Sequence, residues 1–443
     1  MSRNPLCIIA LAGAIATLAA CADTAQLPVS AGIGPNPKLP PPDPELIPTV
    51  DIAPAKPWPP GAQPVAAPGT RVETFAEGLD HPRWLYVLPN GDVLVAETNA
   101  PSERPLREEL LGLKGKVMAF VMKEAGAAVP SADRITLLRD ADGDGKPELK
   151  TSFIEDLHSP FGMALVAGEL YIANTDALVK LPYREGDTQA RGPVTKVADL
   201  PGGPLNHHWT KNLIASPDGS KLYVAVGSNS NVAEHGIGYE KGRAAIWEFD
   251  RASGQGREYA TGLRNPVGMA WHGQRLWVSV NERDQLGSDL VPDYLTELEE
   301  GGFYGWPYSY FGQHVDARVE PQRPDLVAKA IEPDYGLGSH TASLGLASAE
   351  GNTLGGAFAR SGMFVGQHGS WNRKPLSGYQ VIYVPFSGDQ PSGAPLDVLT
   401  GFVGPDGNAY GRPVGVAIDK RGALLVADDV GNRVWRVSGA PAR

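Results

Sequence analysis

Gly262-Leu-Arg-Asn-Pro266-Val-Gly-Met-Ala-Trp271, followed three residues later by Arg275-Leu-Trp-Val-Ser-Val-Asn281-Glu-Arg-Asp284, is the stretch on which the fold turns. A Pro-containing turn leads into a short apolar strand, and a Gly turn leads into a second strand that ends in polar residues. The unit recurs. Gly78-Leu-Asp-His-Pro82 is followed by a strand ending in Glu97-Thr-Asn99, and Leu157-His-Ser-Pro160 by one ending in Asn174-Thr-Asp176. Asn206-His-His208 precedes Lys221-Leu-Tyr-Val-Ala-Val226 and Ser228-Asn229. A divergent copy joins Ser339-His-Thr-Ala342 to Gly362-Met-Phe-Val-Gly-Gln-His368, and the last joins Tyr410-Gly-Arg-Pro413 to Ala423-Leu-Leu-Val-Ala-Asp428-Asp429.

Six hairpin units of period-two strands, roughly 50 to 80 residues apart, predict an all-β fold, a six-bladed β-propeller over 70–440. A sandwich would not repeat the unit, and helix-period patterns are nearly absent. The geometry has a consequence for function. The same turn of every blade faces one end of the central channel, so His158, His208, Arg264, Asn265, His340 and Arg412 are expected to converge there.

The 53 Gly and 40 Pro suit such a turn-rich chain of 443 residues. The net charge of −11 argues against nucleic acid as a partner and makes clustered arginines conspicuous. Arg3 and the apolar run Leu6 to Leu18, too short for a comfortable membrane span, precede Leu18-Ala-Ala-Cys21. This resembles a bacterial lipoprotein signal with its lipobox over 1–20, which implies export, cleavage before Cys21 and lipidation of its thiol. Ala22 after the cysteine implies the outer membrane, on its periplasmic face; an ordinary secretory signal cleaved after Ala20 is the alternative. Leu27 to Pro68 holds fourteen prolines. The segment 21–69 is therefore expected to be a disordered, extended linker tethering the domain to a membrane that it touches only through the lipid.

Leu205-Asn-His-His-Trp-Thr-Lys-Asn-Leu213, Gly262-Leu-Arg-Asn-Pro-Val-Gly268 and Glu300-Gly-Gly-Phe-Tyr-Gly-Trp-Pro307 resemble the glucose/sorbosone dehydrogenase family. The paired histidines and Pro-rich leader look nearest its sorbosone dehydrogenase-like branch. The resemblance implies a quinoprotein using pyrroloquinoline quinone (PQQ) and Ca²⁺ to oxidise an aldose or a sugar aldehyde, with electrons passing to an external acceptor. It makes His208 the general base, which agrees with a histidine's near-neutral pKa. Arg264 is implied to be catalytic and, with Asn265, to contact the quinone; a guanidinium suits carboxylates and developing negative charge. Arg412, Arg373, Lys374 and His340 are implied as further cofactor contacts, and His158, in the equivalent turn of the second blade, is placed to touch substrate or quinone. His207 and Ser228 stand where the glucose enzymes carry acids, and Tyr410 where they carry a second arginine.

Calcium in that family sits on backbone carbonyls of a Gly-Pro step, replaced here by Glu282-Arg283. Their carbonyls are the implied metal ligands. A second, structural calcium candidate is Asp140-Ala-Asp142-Gly-Asp144-Gly-Lys-Pro-Glu148, whose alternating carboxylates suit a hard cation. Thr151 at the twelfth position separates it from an EF-hand.

Two other readings stay open. Glu97, Asn174, Asn229 and Asp428 at successive strand ends suit a metal-dependent propeller lactonase or other hydrolase. A non-catalytic ligand-binding propeller is the third. No Gly-x-Gly-x-x-Gly after a strand, no Gly-x-Ser-x-Gly and no Cys/His zinc spacing occurs.

Overall fold

The computed structural model describes residues 24–44, 49–103 and 122–440. The leader and Cys21 lie outside the described residues. Six antiparallel blades surround one channel. Their innermost strands are Pro82–Val87, Met163–Val166, Lys211–Ala215, Pro266–His272, Ser343–Ser348 and Pro413–Ile418. Each pairs with the next strand in sequence, and two further strands complete the blade outward.

The ring is shut by a strand the repeats do not announce. Thr70–Glu77 forms the outer edge of the sixth blade, pairing with Arg433–Gly439 from Arg433↔Glu77 to Gly439↔Thr70. The two ends of the propeller are thus held by backbone hydrogen bonds of one sheet, and no open edge separates first blade from last.

Small residues let the innermost strands approach. A Cβ on Gly162 would lie 2.0 Å from Leu213 N, and one on Gly345 would lie 2.0 Å from the Val414 carbonyl. The Pro-x-Gly pattern of the repeat is therefore a packing requirement at the channel wall. Around it Trp84, Phe161 and Trp209 pack as a buried series, tilted and then edge-to-face, with ring centroids 4.7 Å and 6.1 Å apart.

The Pro-rich segment is not a disordered linker where it is described. Ile33–Gly34 adds to the outer edge of the fourth blade by pairing with Leu337 and Gly336. Val65–Ala66 adds to the fifth by pairing with Thr400 and Leu399. Asp51 bridges to Asn372 and Ala55 to Ala409, while Ala53 and Trp58 are buried. Prolines hold a chain extended and remove donors, which is compatible with edge addition as well as with a free tether. The interspersed apolar residues decide the outcome by burying against the blades.

Gly162→Ala tests the packing argument. Overpacking at a backbone contact is expected to destabilise by about 2 kcal/mol or more, read as a lowered denaturation midpoint.

Candidate functional site

Antiparallel pairing brings the start of each innermost strand beside the end of the second. Pro82 faces Glu97, Lys211 faces Val226, Pro266 faces Val280 and Pro413 faces Asp428. Residues just before the first strand and just after the second therefore share one end of the channel. That rule places His208 beside Ser228, Arg264 beside Asn281 to Asp284, and Arg412 beside Asp428 and Asp429.

His208 Nδ1 lies 2.9 Å from the Ser228 carbonyl and 3.0 Å from its hydroxyl. The hydroxyl spends its own proton on Ser230 O, 2.6 Å away. Both neighbours of Nδ1 are thus acceptors, so Nδ1 carries the hydrogen and Nε2 keeps a lone pair. Burial, then the adjacent His207 and Arg264, hold the imidazole well below its usual 6.5, and the ring is neutral. The Ser228 to Arg243 loop is organised by Glu240, which accepts Asn229 N at 2.6 Å and the Ser230 hydroxyl.

Arg264 is boxed in. Nε donates to Asn231 O, Nη1 to the carbonyls of Asn281 and Glu282, and Nη2 to Asn231 Oδ1 and Asp284 Oδ2. All five donors are used, so Arg264 acts as a fixed charge and not as a free fork. Burial would raise the Asp284 carboxyl, but Arg264 and His340 bring it down to about 2. Asp284 also accepts Asn372 Nδ2 at 2.8 Å, joining the fourth blade to the fifth. His340 Nε2 meets the Gly287 carbonyl at 3.1 Å, with Nδ1 3.5 Å from Asp284. Asn265 Oδ1 is buried without a protein partner.

A second group at the same end centres on Asp429. Its buried carboxylate accepts Arg83 Nη1 at 2.7 Å and faces His368 Nε2 at 2.9 Å and His81 Nε2 at 3.5 Å. Burial opposes ionisation, yet His368, His81 and Arg83 hold the Asp429 carboxyl far below the ordinary range. Burial lowers His81 to about 4. Arg412 lies next to it, its guanidinium 4.8 Å over the Tyr379 ring. The Nε atoms of both Arg83 and Arg412 are buried with no partner. Arg83, His81, His368 and Asp429 join the candidate site, and the sequence does not single them out. The signal that reaches them is the strand-pairing rule, since they flank Pro82 and end the fifth and sixth second strands.

A family model described as TrAA12-like matches residues 134–293 and 325–440, more than half of the chain. The chain belongs to the TrAA12-like family. A pyrroloquinoline quinone-dependent pyranose dehydrogenase from Coprinopsis cinerea is 27% identical over 305 residues, covering 53% of this chain and 40% of the relative. The chain thus spans well under half of that protein's length. The holo form of the pyranose dehydrogenase PQQ domain from the same organism superposes with a TM-score of 0.66 at 22% identity, covering 86% of this chain and 98% of that one. An iodide structure of a Trichoderma reesei enzyme of carbohydrate-active family AA12 gives a TM-score of 0.67 at 19% identity, covering 88% and 99%. At these identities the structural likeness establishes the six-bladed fold.

In this TrAA12-like propeller, several expected contacts lie elsewhere. Arg373 turns away from the channel: its Nη groups donate to the Pro375 and Leu27 carbonyls, with Asp289 at 3.5 Å. Lys374 is exposed at the rim, its carbonyl accepting Ala25 N at 2.7 Å. The N-terminal segment takes both residues, and an alignment of the loop alone could not foresee that. His158 is half exposed and pairs with Asp176 at 2.9 Å.

The implied metal ligands Glu282 and Arg283 also differ. The Glu282 carbonyl accepts Arg264 Nη1 at 2.6 Å, so a guanidinium already occupies the acceptor a cation needs. The Arg283 side chain, which is not part of that ligand set, is fully buried and bonded to Glu282, Asp316 and the carbonyls of Pro307 and Ser309. By contrast the ligand atoms of Asp140, Asp142, Asp144 and Glu148 lie within 4.8 Å of one another. Four carboxylates that close are a donor set that fits Ca²⁺. Of the strand-end acids, Glu97 is bonded to Arg134 and Thr136, and Asp428 to two indoles and two backbone amides.

Asp429→Ala leaves Arg83 and two histidines facing a lost charge. It is expected to cost about 3–5 kcal/mol in denaturant unfolding. Because the folded carboxyl lies below its ordinary 3.8, this stabilisation is complete above that value and disappears as pH falls below it. The difference between wild type and Asp429→Ala should therefore shrink in acid.

Proposed function

We propose that this chain is a PQQ-dependent dehydrogenase that oxidises a sugar, with His208 as general base. The observation that carries the reading is a neutral imidazole with a free Nε2, set in one channel mouth with Arg83 and Arg412, whose buried Nε donors lack partners. Unpaired buried donors call for an anionic group, and PQQ is a tricarboxylate. The named activity of the Coprinopsis relative supports the same class.

Arg83, Arg412 and Asn265 would hold the cofactor, which when bound supplies a quinone that accepts hydride. The chain's own part is proton management and orientation. Nε2 of His208 takes the proton of the reacting hydroxyl, or of a hydrated aldehyde. Nδ1–H remains on the Ser228 carbonyl, which fixes the ring plane through the transfer. An imidazolium formed there is disfavoured by Arg264, but Asp284 offsets that charge at 3.0 Å. Arg264 supplies a preorganised positive potential without moving. A sugar aldehyde such as sorbosone is the finer substrate reading, suggested by the paired histidines, and an external acceptor would remove the electrons.

Export and lipidation at Cys21, on the periplasmic face of the outer membrane, belong to the same proposal. Ala25, four positions on, is docked on Lys374 at the rim. A lipid on Cys21 would therefore hold the channel mouth close to the membrane surface. Ca²⁺ would serve at Asp140 to Glu148, as a structural ion.

Purified protein supplied with PQQ and Ca²⁺ should reduce a dye with aldoses or sugar aldehydes. Failure to bind PQQ by calorimetry would overturn the reading. His208→Ala should lower kcat by about 10²-fold or more while quinone affinity changes little. The lowered pKa keeps His208 unprotonated as pH drops, so the acid limb of kcat/KM should fall below 6.5. A limb at or above that value would remove His208 as the base.

A further inference from the structure

The Pro-rich segment reaches the Arg412 side chain. Ala53 is fully buried, and its carbonyl lies 3.4 Å from Arg412 Nη2. The same guanidinium is stacked on Tyr379 at 4.8 Å, so the segment and that ring fix two sides of it. Its Nε is buried without a protein partner and is left to meet a ligand.

Trp58 anchors the segment. It is 7% exposed, packs edge-on against Trp435 with centroids 5.2 Å apart, and meets Phe402 at 5.8 Å. Its Nε1 donates to Asp428 Oδ2 at 2.9 Å. The other oxygen of that fully buried carboxylate accepts the backbone N–H of Arg412 at 2.8 Å. One carboxylate thus joins the anchor to the Arg412 backbone, while Ala53 joins the same segment to the Arg412 side chain. A long, flexible cation held in place before its ligand arrives binds at lower entropic cost.

We propose that residues 49–60 are a positioning element of the site, acting through Arg412 with Trp58 as anchor. This rests on the reading of Arg412 as a holder of a cofactor carboxylate. The segment so assigned is a working wall of the mouth and not a spacer.

The test is calorimetric titration of full-length protein with PQQ, alongside melting temperature and sugar KM at saturating PQQ. Trp58→Phe keeps the ring packing and removes the donor. It is expected to weaken PQQ binding about ten-fold with KM nearly unchanged. Trp435→Phe removes an equivalent bond from the same oxygen but leaves the segment anchored, and should weaken binding about two-fold or less. In an Arg412→Ala background, Trp58→Phe should add nothing. Unchanged affinity in Trp58→Phe, equal losses in the two tryptophan variants, or losses that add to Arg412→Ala each overturn the proposal. Wild-type protein that binds no PQQ overturns the reading of the site, and this proposal with it.

Discussion

Asp428 and Asp429 are adjacent, both buried, and their environments push them in opposite directions. Asp428 has no cation beside it; four N–H donors satisfy it, and burial lifts its carboxyl to about 6. Asp429 faces Arg83, His81 and His368 and is held ionised. The first carboxylate joins, through two indoles and two backbone amides, the Trp58 segment, the Arg412 turn and the third strand of the sixth blade. The second ties blades to one another, through Arg83 of the first and His368 of the fifth. The sixth blade is also the one closed by Thr70–Glu77, so the point where the ring is shut is also where the site is assembled.

Electrostatics across the mouth follows from this. A neutral His208 beside Arg264 needs the arginine's field to be partly cancelled if the imidazole is to take a proton. Asp284 does so on one side, and its ties to His340 and Asn372 keep it from rotating away. Arg83 is likewise neutralised by Asp429, while Arg412 has no carboxylate bonded to its guanidinium in the described structure. Its charge is balanced only by the Tyr379 face and the Ala53 carbonyl. An incoming carboxylate would therefore gain most at Arg412.

The six blades were legible because period-two strands, Pro turns and the Pro-x-Gly step recur with the spacing that the ring demands. His208, Arg264, Asn265, His340 and Arg412 were legible because they precede innermost strands. His368 and Asp429 obey the companion rule, that the end of the second strand lies beside the start of the first, and Arg83 follows Pro82 on a first strand. The polar strand ends are visible in sequence, but nothing there separates Asp429 from Asp428. Thr70–Glu77 gives no signal of its own, since the other three strands of its blade lie at the far end of the sequence, its partner strand beginning at Arg433. The N-terminal segment escaped for a different reason. Proline content predicts that a chain is extended; which surface receives it depends on tertiary partners such as Asp428 for Trp58. Arg373 and Lys374 escape for the same reason, since the segment that meets them, at Leu27 and Ala25, is about 350 residues away in sequence.

The step Glu282-Arg283 shows how a departure from a family pattern can be absorbed without leaving a charge in the channel. Both side chains are buried to within 1%, which would be prohibitive for either alone. Glu282 Oε2 accepts two hydrogen bonds from Arg283, and Arg283 continues outward to Asp316, itself held by Arg318. The alternation closes two acids and two bases inside the insertion that carries Gly301-Gly-Phe-Tyr-Gly-Trp306. Arg318 returns to the carbonyls of Asp284 and Gln285, and Trp306 Nε1 donates to Asn231 O, the residue that also grips Arg264. The buried network therefore braces the channel-facing loop from behind. Removing one member would unpair a buried charge and also release the geometry of Arg264, so the stability of this insertion and the order of the site are one constraint.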